Sequence, residues 1–114
     1  MTESQMRECI AAHQKRNEEE LARLAGLGVP LDVPRPIEHA FRAPTAEAAG
    51  LLELGLGYRE FRVSPAADRG GPPFRVQAET FWPPTVAADP RHLETFVRLA
   101  AIHRCEYEGW TTQA

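Results

Sequence analysis

The chain has 114 residues and a mass of 12.7 kDa, which is the size of one ordinary domain. Its 13 basic and 16 acidic residues give a net charge of −3. This balance argues against a general nucleic-acid binder, which needs surplus Lys and Arg to displace counterions. No apolar run of about 18 residues occurs, so we expect no membrane span. The polar N-terminus lacks the apolar core of a signal peptide, which favours a cytoplasmic protein.

The first segment, from Thr2 to about Ala25, is predicted to form a helix that starts at a capping box made by Thr2 and Gln5. Its apolar stripe consists of Met6, Ile10, Leu21 and Leu24. His13 and Asn17 interrupt this stripe in its middle. The interruption favours a helix that docks only partly on its own domain or belongs to a partner interface. We therefore predict a helical segment over residues 1–30 ahead of a domain over residues 31–114.

The rest of the chain alternates between strand and helix patterns. The predicted elements are a strand Ile37–Ala43, a helix from a Thr45 cap through Leu56, strands Tyr58–Ser64 and Phe74–Phe81, a helix from Asp89-Pro90 to about His103, and a strand Cys105–Trp110. Gly55 and Gly57 are expected to take left-handed positions where the first of these helices ends. Gly70-Gly71 indicates a loop between the middle strands. This order predicts an α+β, ferredoxin-like β-α-β-β-α-β sandwich, with two helices on one face of a four-stranded antiparallel sheet, plus the N-terminal helix.

Nucleophilic catalysis has little support in the sequence. Ser4 and Ser64 do not lie in a nucleophile elbow. Cys105 lies close to His103, but no third group to orient such a pair is visible. Cys9 and Cys105 are far apart in sequence and, without a signal peptide, are expected to be reduced and unpaired.

Metal binding is also not indicated, because the histidines and cysteines are scattered along the chain. We predict no metal and no cofactor. His39 shares a strand face with Ile37 and Phe41, which favours a hydrogen-bonded, partly buried imidazole over a metal ligand.

The outward positions of the predicted strands are charged. Glutamates alternate there with arginines: Glu38, Glu60, Glu79, Glu106 and Glu108 with Arg42, Arg62 and Arg75. We expect opposite charges to face each other across the strands, which favours a solvated sheet over an acid–base site. The third strand presents Arg75, Gln77 and Glu79 and so has no aromatic platform for RNA bases. Such a face suits a protein partner, with Trp82 or Trp110 as an anchor.

Three short motifs carry a resemblance to a known family. They are Ile37-Glu38-His39, Leu56-Gly57-Tyr58, and Glu106-Tyr107-Glu108-Gly109-Trp110 after an Ala-rich helix. In order and spacing, over about Pro36 to Thr112, the chain resembles the regulator of ribonuclease E activity B family. The motif residues carried over are Glu38, His39, Gly57, Tyr58, Tyr107, Gly109 and Trp110. We expect Gly57 to terminate a helix, Gly109 to form a bulge or a close approach, and Tyr58 to lie in the core.

The resemblance implies a cytoplasmic bacterial protein with a ferredoxin-like fold that inhibits without being an enzyme. Its implied partner is endoribonuclease E or another protein, with an effect on RNA turnover and no direct contact with nucleic acid or membrane. The expected partner-binding residues are Glu38, His39, Glu106, Tyr107, Glu108 and Trp110. The best-known members carry a long acidic C-terminal tail, which the sequence ending at Ala114 does not include.

Two other functions stay open from the residues alone. One is a small ligand-binding or enzymatic domain that uses His39 and His103 in a pocket between sheet and loop. The other is a homodimeric structural module that associates through its sheet faces or its N-terminal helix. A deep pocket with two convergent titratable groups would favour the enzyme, and a flat charged sheet would favour the binding module.

Overall fold

The computed structural model describes residues 2–63 and 73–113. The elements in chain order are α1 Glu3–Gly26, β1 Arg35–Ala43, α2 Ala46–Tyr58, β2 Arg62–Val63, β3 Phe74–Trp82, α3 Pro84–Ala87, α4 Pro90–Ile102 and β4 Glu106–Thr111. Thr2 and Gln5 form the predicted reciprocal capping box, and the Thr45 and Asp89 side chains cap α2 and α4. Ser64 and the Gly70-Gly71 loop lie outside the described residues.

The four described strands form one sheet in the order β2-β3-β1-β4, and every neighbouring pair is antiparallel. The two long strands lie in the centre, where β1 pairs with β3 from Arg35↔Trp82 to Ala43↔Phe74. β2 pairs with β3 as the predicted hairpin requires, and β4 lies beside β1 at the opposite edge. This strand order is that of the split β-α-β fold, so the predicted ferredoxin-like α+β fold is confirmed.

Helices α2 and α4 cover one face of the sheet. Inward residues of β1 and β3 form a core with the helices: Phe41, Ala43, Val76 and Ala78 with Leu52, Leu56, Leu93, Phe96 and Val97. Gly55 allows the two helices to approach closely, because a Cβ at this position would lie 3.0 Å from Nε2 of His103. The outward residues of the same strands, such as Glu38 and Arg75, are exposed, so this face carries no helix among the described elements.

Helix α1 packs against α4 and β4 and extends the core. Its buried residues are Met6, His13, Asn17 and Leu24, which recur at helical spacing on one face. His13 and Asn17 therefore belong to the buried face rather than interrupting it, and this corrects the expectation of partial docking. Arg98 of α4 adds an exposed ion pair with Glu3 at 2.9 Å, which contributes little on its own.

The end of α2 differs from expectation. The helix continues through Gly55 and Gly57 to Tyr58, so the predicted left-handed glycines and the terminator role of Gly57 are wrong. Glu60 takes the left-handed conformation instead, with φ of 65°. Tyr58 is 88% exposed rather than part of the core, because it falls on the solvent side of the helix. The strand that follows is correspondingly short, Arg62–Val63.

Candidate functional site

His39 lies in the central strand β1, on the face covered by the helices, and is fully buried. Both ring nitrogens have hydroxyl partners: Nδ1 is 3.2 Å from the Tyr107 hydroxyl and Nε2 is 2.9 Å from Thr80 Oγ1. A neutral imidazole has one donor and one acceptor nitrogen, and a hydroxyl can fill either role, so both nitrogens are satisfied. The Phe96 ring packs against the imidazole with centroids 4.4 Å apart. The predicted hydrogen-bonded imidazole is confirmed, and its burial is complete rather than partial.

The surroundings of His39 keep the ring neutral. Burial, with a smaller contribution from the neighbouring His92, lowers the pKa of His39 to about 3. Burial likewise raises the pKa of the Tyr107 hydroxyl above its ordinary value. Neither group exchanges a proton near neutral pH, so the pair joins β1 to β4 but is unsuited to acid–base catalysis.

A β-bulge shapes the last strand. The register against β1 shifts between Tyr107 and Gly109, so that Glu108 is an extra residue in β4. Gly109 has φ of +115°, a conformation that residues with a side chain rarely adopt. The extra residue changes the alternation, and both Tyr107 and Trp110 are therefore buried. The expectation that Gly109 marks a bulge is confirmed.

Two polar side chains of α1 hold this bulge. Trp110 Nε1 donates a hydrogen bond to Asn17 Oδ1 over 3.0 Å, and His13 Nε2 lies 3.0 Å from the carbonyl oxygen of Tyr107. Burial is the main cause that lowers the pKa of His13, so the neutral ring donates through Nε2–H. Because β4 is an edge strand, α1 covers backbone that would otherwise be open to another chain.

The uncovered face of the sheet is charged, but its charges are sorted differently from our expectation. Glu38 lies directly opposite Glu79, and Arg42 lies directly opposite Arg75. An opposite-charge contact instead joins β1 to β4, where Arg42 donates to Glu106 over 2.6 Å. The predicted pairing of opposite charges is therefore wrong between β1 and β3, since the buried face sets the register. Between β2 and β3 the expected pairing does occur, because Arg62 lies directly opposite Glu79. Glu38 and Glu79 therefore lie together toward one end of the face with Arg62 beside Glu79, and Arg42 and Arg75 lie toward the other end.

The end of the face with Glu38 and Glu79 also carries an exposed aromatic ring. Phe81 lies opposite Pro36 and is 69% exposed. An open hollow of about 520 Å³ adjoins this pair, lined by Arg35, Pro36, Glu38, Glu79, Thr111, Thr112 and Gln113. We call Pro36, Glu38, Glu79 and Phe81 the acidic patch. It combines two carboxylates that form no ion pair within residues 2–63 and 73–113 with the exposed ring of Phe81, and exposed aromatic rings are enriched at protein interfaces.

The six residues expected to bind a partner fall into two groups. His39, Tyr107 and Trp110 are buried, which corrects the expectation that they form a contact surface, because the helix-covered face and the bulge place them inside. The glutamates lie nearer the solvent: Glu38 and Glu106 are exposed and Glu108 is half-buried. That these glutamates bind a partner stays a prediction.

Several further residues that the sequence patterns do not mark matter to this arrangement. His13, Asn17 and Thr80 bond to the buried motif residues, and their polar character concealed this role. Phe81 was detectable, since it continues the outward alternation of Glu79 in β3.

His39 and His103 do not form the pocket that the enzymatic alternative requires. His39 is enclosed in the core, whereas His103 follows α4 and lies beside Gly55. Over residues 2–63 and 73–113, no three His, Cys, Asp or Glu side chains lie together in a way that could hold a metal ion. Cys9 and Cys105 are free thiols.

Residues 14–112 match the family model described as Regulator of ribonuclease activity B, from within α1 to just beyond β4. The chain belongs to the regulator of ribonuclease activity B family. The match includes Asn17 together with Trp110, so the anchoring of α1 on β4 lies within the family domain. No curated protein matches the chain. Membership of this family associates the chain with regulation of ribonuclease activity and makes a ribonuclease its expected protein partner.

In the described segments, no helix is both long and apolar enough to cross a membrane.

Proposed function

We propose that this chain binds an endoribonuclease of the ribonuclease E type and inhibits it, with no chemistry of its own, in the bacterial cytoplasm. The observation that carries the proposal is the match to the regulator of ribonuclease activity B family over residues 14–112. Inhibition by binding would lower RNA cleavage and so alter RNA turnover without contact between this acidic chain and RNA.

The acidic patch is the surface that we propose for the partner. Like charges directly opposite each other destabilise a sheet, and Glu38 faces Glu79 in this way, while Arg62 lies opposite Glu79 on its other side. A basic side chain of a partner placed between the two carboxylates would relieve this repulsion. Phe81 beside them offers an aromatic anchor of the kind that contributes most to binding energy at interfaces.

Glu106 and Glu108 would extend this surface along β4, although Glu106 already pairs with Arg42 and is less available. His39, Tyr107 and Trp110 would act indirectly, because they hold β1, β4 and α1 together beneath the face. A role without catalysis is supported by the neutral, enclosed state of His39, which has no access to a substrate.

Binding of the purified chain to a purified ribonuclease E-type enzyme, measured by calorimetry, tests the proposed surface. The variant Glu38→Gln/Glu79→Gln should weaken binding roughly tenfold, because two charge contacts of modest strength are lost. The matched control is Glu18→Gln/Glu19→Gln on the exposed side of α1, which changes the net charge equally.

The control double variant should bind within twofold of the parent chain. Equal weakening by both double variants would assign the effect to net charge and remove the acidic patch from the proposal. Absence of binding by the parent chain would reject the ribonuclease partner itself.

A further inference from the structure

A second, smaller pocket lies on the other side of β4, between the bulge and α1. Its volume is about 60 Å³, and it is lined by His13, Arg16, Asn17, Glu20, Gly109 and Trp110. This is roughly four to six times the space that one water needs, so a group of three or four heavy atoms fits. The pocket is separate from the acidic patch, and binding of a ligand in it does not depend on the function proposed above.

Asn17 is one of the residues that line this pocket, and its side chain carries an unused hydrogen-bond donor. Asn17 is 7% exposed, and its Oδ1 accepts the bond from Trp110, which fixes the orientation of the amide. Its Nδ2 is buried and has no hydrogen-bond partner among the described residues. Nearly all buried donors in folded proteins are satisfied, so a buried amide without an acceptor points to a ligand atom that accepts.

The charge of the pocket comes from Arg16. Its guanidinium lies over Gly109, with one terminal nitrogen 3.5 Å from the position that a Cβ there would occupy. Arg16 makes no ion pair with residues in segments 2–63 and 73–113, whereas Glu20 is paired with Arg23 at 2.5 Å. The remaining titratable group on the lining, His13, is held neutral by burial. The pocket therefore favours a monoanion over a cation.

We propose that this pocket binds a carboxylate group, with one oxygen accepting from Asn17 Nδ2 and the other from the Arg16 guanidinium. A carboxylate has three heavy atoms, is flat, and matches the fork of donors that Arg presents. The pocket is too small to hold a larger molecule, so a larger ligand would place only its carboxylate group inside. The carboxylate comes either from a free small acid or from an acidic side chain of a bound protein.

Titration of the ¹⁵N-labelled chain with sodium acetate, against sodium chloride at equal ionic strength, tests the pocket directly. The Asn17 side-chain amide and the Arg16 Nε–H resonances should shift in a saturable manner with acetate. Arg16→Gln should weaken acetate binding at least fivefold, while Lys15→Gln, which removes a neighbouring exposed cation, should change it less than twofold. Shifts that do not saturate, or equal weakening by both variants, would overturn the proposal.

Asn17→Asp provides a second check, because an Asp oxygen can still accept from Trp110 while the donor is lost. The Trp110 indole N–H should stay hydrogen-bonded and protected from exchange with solvent, and the acetate response should disappear. Retention of acetate binding by this variant would contradict the assignment. A further arm separates the two sources: if acetate weakens ribonuclease binding to the parent chain but not to Arg16→Gln, the carboxylate belongs to the partner. If ribonuclease binding is unaffected, the ligand is a free acid.

Discussion

The buried imidazole of His39 should make the protein less stable as the pH falls below 7. Its pKa is about 3 in the folded chain and 6.5 when the ring is free in the unfolded chain. The unfolded state therefore takes up a proton between these values and the folded state does not. By linkage, the stability that the neutral ring contributes is present above pH 6.5 and is lost as the pH falls toward 3.

The size of this effect follows from the two pKa values. Between pH 7 and pH 5 the unfolded ring becomes almost fully protonated while the folded ring stays neutral. At 1.36 kcal/mol per pKa unit, the free energy of unfolding should drop by about 2 kcal/mol over this range. His13, whose pKa burial also lowers, adds to the drop in the same direction.

Urea unfolding of the parent chain and of His39→Gln at pH 7 and pH 5 measures this contribution. Gln is polar, so it can hydrogen-bond, but it does not titrate; the variant should therefore lose about 2 kcal/mol less than the parent chain between the two pH values. The contribution of His13 is common to both proteins and cancels. Equal slopes of unfolding free energy against urea should confirm that both unfold the same surface. An identical pH dependence in both proteins would refute the reasoning.

Three further substitutions, measured by the same urea unfolding, test the anchoring of α1, the bulge in β4 and the exposure of Tyr58 at the end of α2. Asn17→Leu leaves the Trp110 indole N–H buried without its acceptor and should cost about 1–3 kcal/mol; a loss below 0.5 kcal/mol would show that water replaces the bond. Gly109→Ala forces a side chain into φ of +115° and should cost about 1–3 kcal/mol, so a neutral result would contradict the bulge. Tyr58→Ser should change stability by less than about 0.5 kcal/mol, because the ring is 88% exposed, and a large loss would restore its predicted core position.

The regular parts of the fold could be predicted from local patterns. Strand alternation from Ile37 to Ala43 and the Asp89-Pro90 helix start both reflect short-range rules, and the structure follows them. Strand order follows from the β-α-β-β-α-β sequence of elements, because this order has one common antiparallel solution.

The site was harder to predict, because its geometry depends on contacts between distant segments. A single extra residue, Glu108, moves Trp110 from the predicted open face to the buried face, and no local pattern marks it beyond the following glycine. His13 and Asn17 look like interruptions of an apolar stripe until their partners on β4 are known. The pairing of Glu38 with Glu79 likewise depends on a register that the buried face determines.

The cleavage rate of a ribonuclease E-type enzyme on a short RNA, with and without excess of this chain, tests the central claim most directly. The account predicts that the rate falls as the chain is added and levels off when the enzyme is saturated, and that the chain alone leaves the RNA intact. An unchanged cleavage rate at saturating concentrations of the chain, or cleavage of the RNA by the chain itself, would contradict the account.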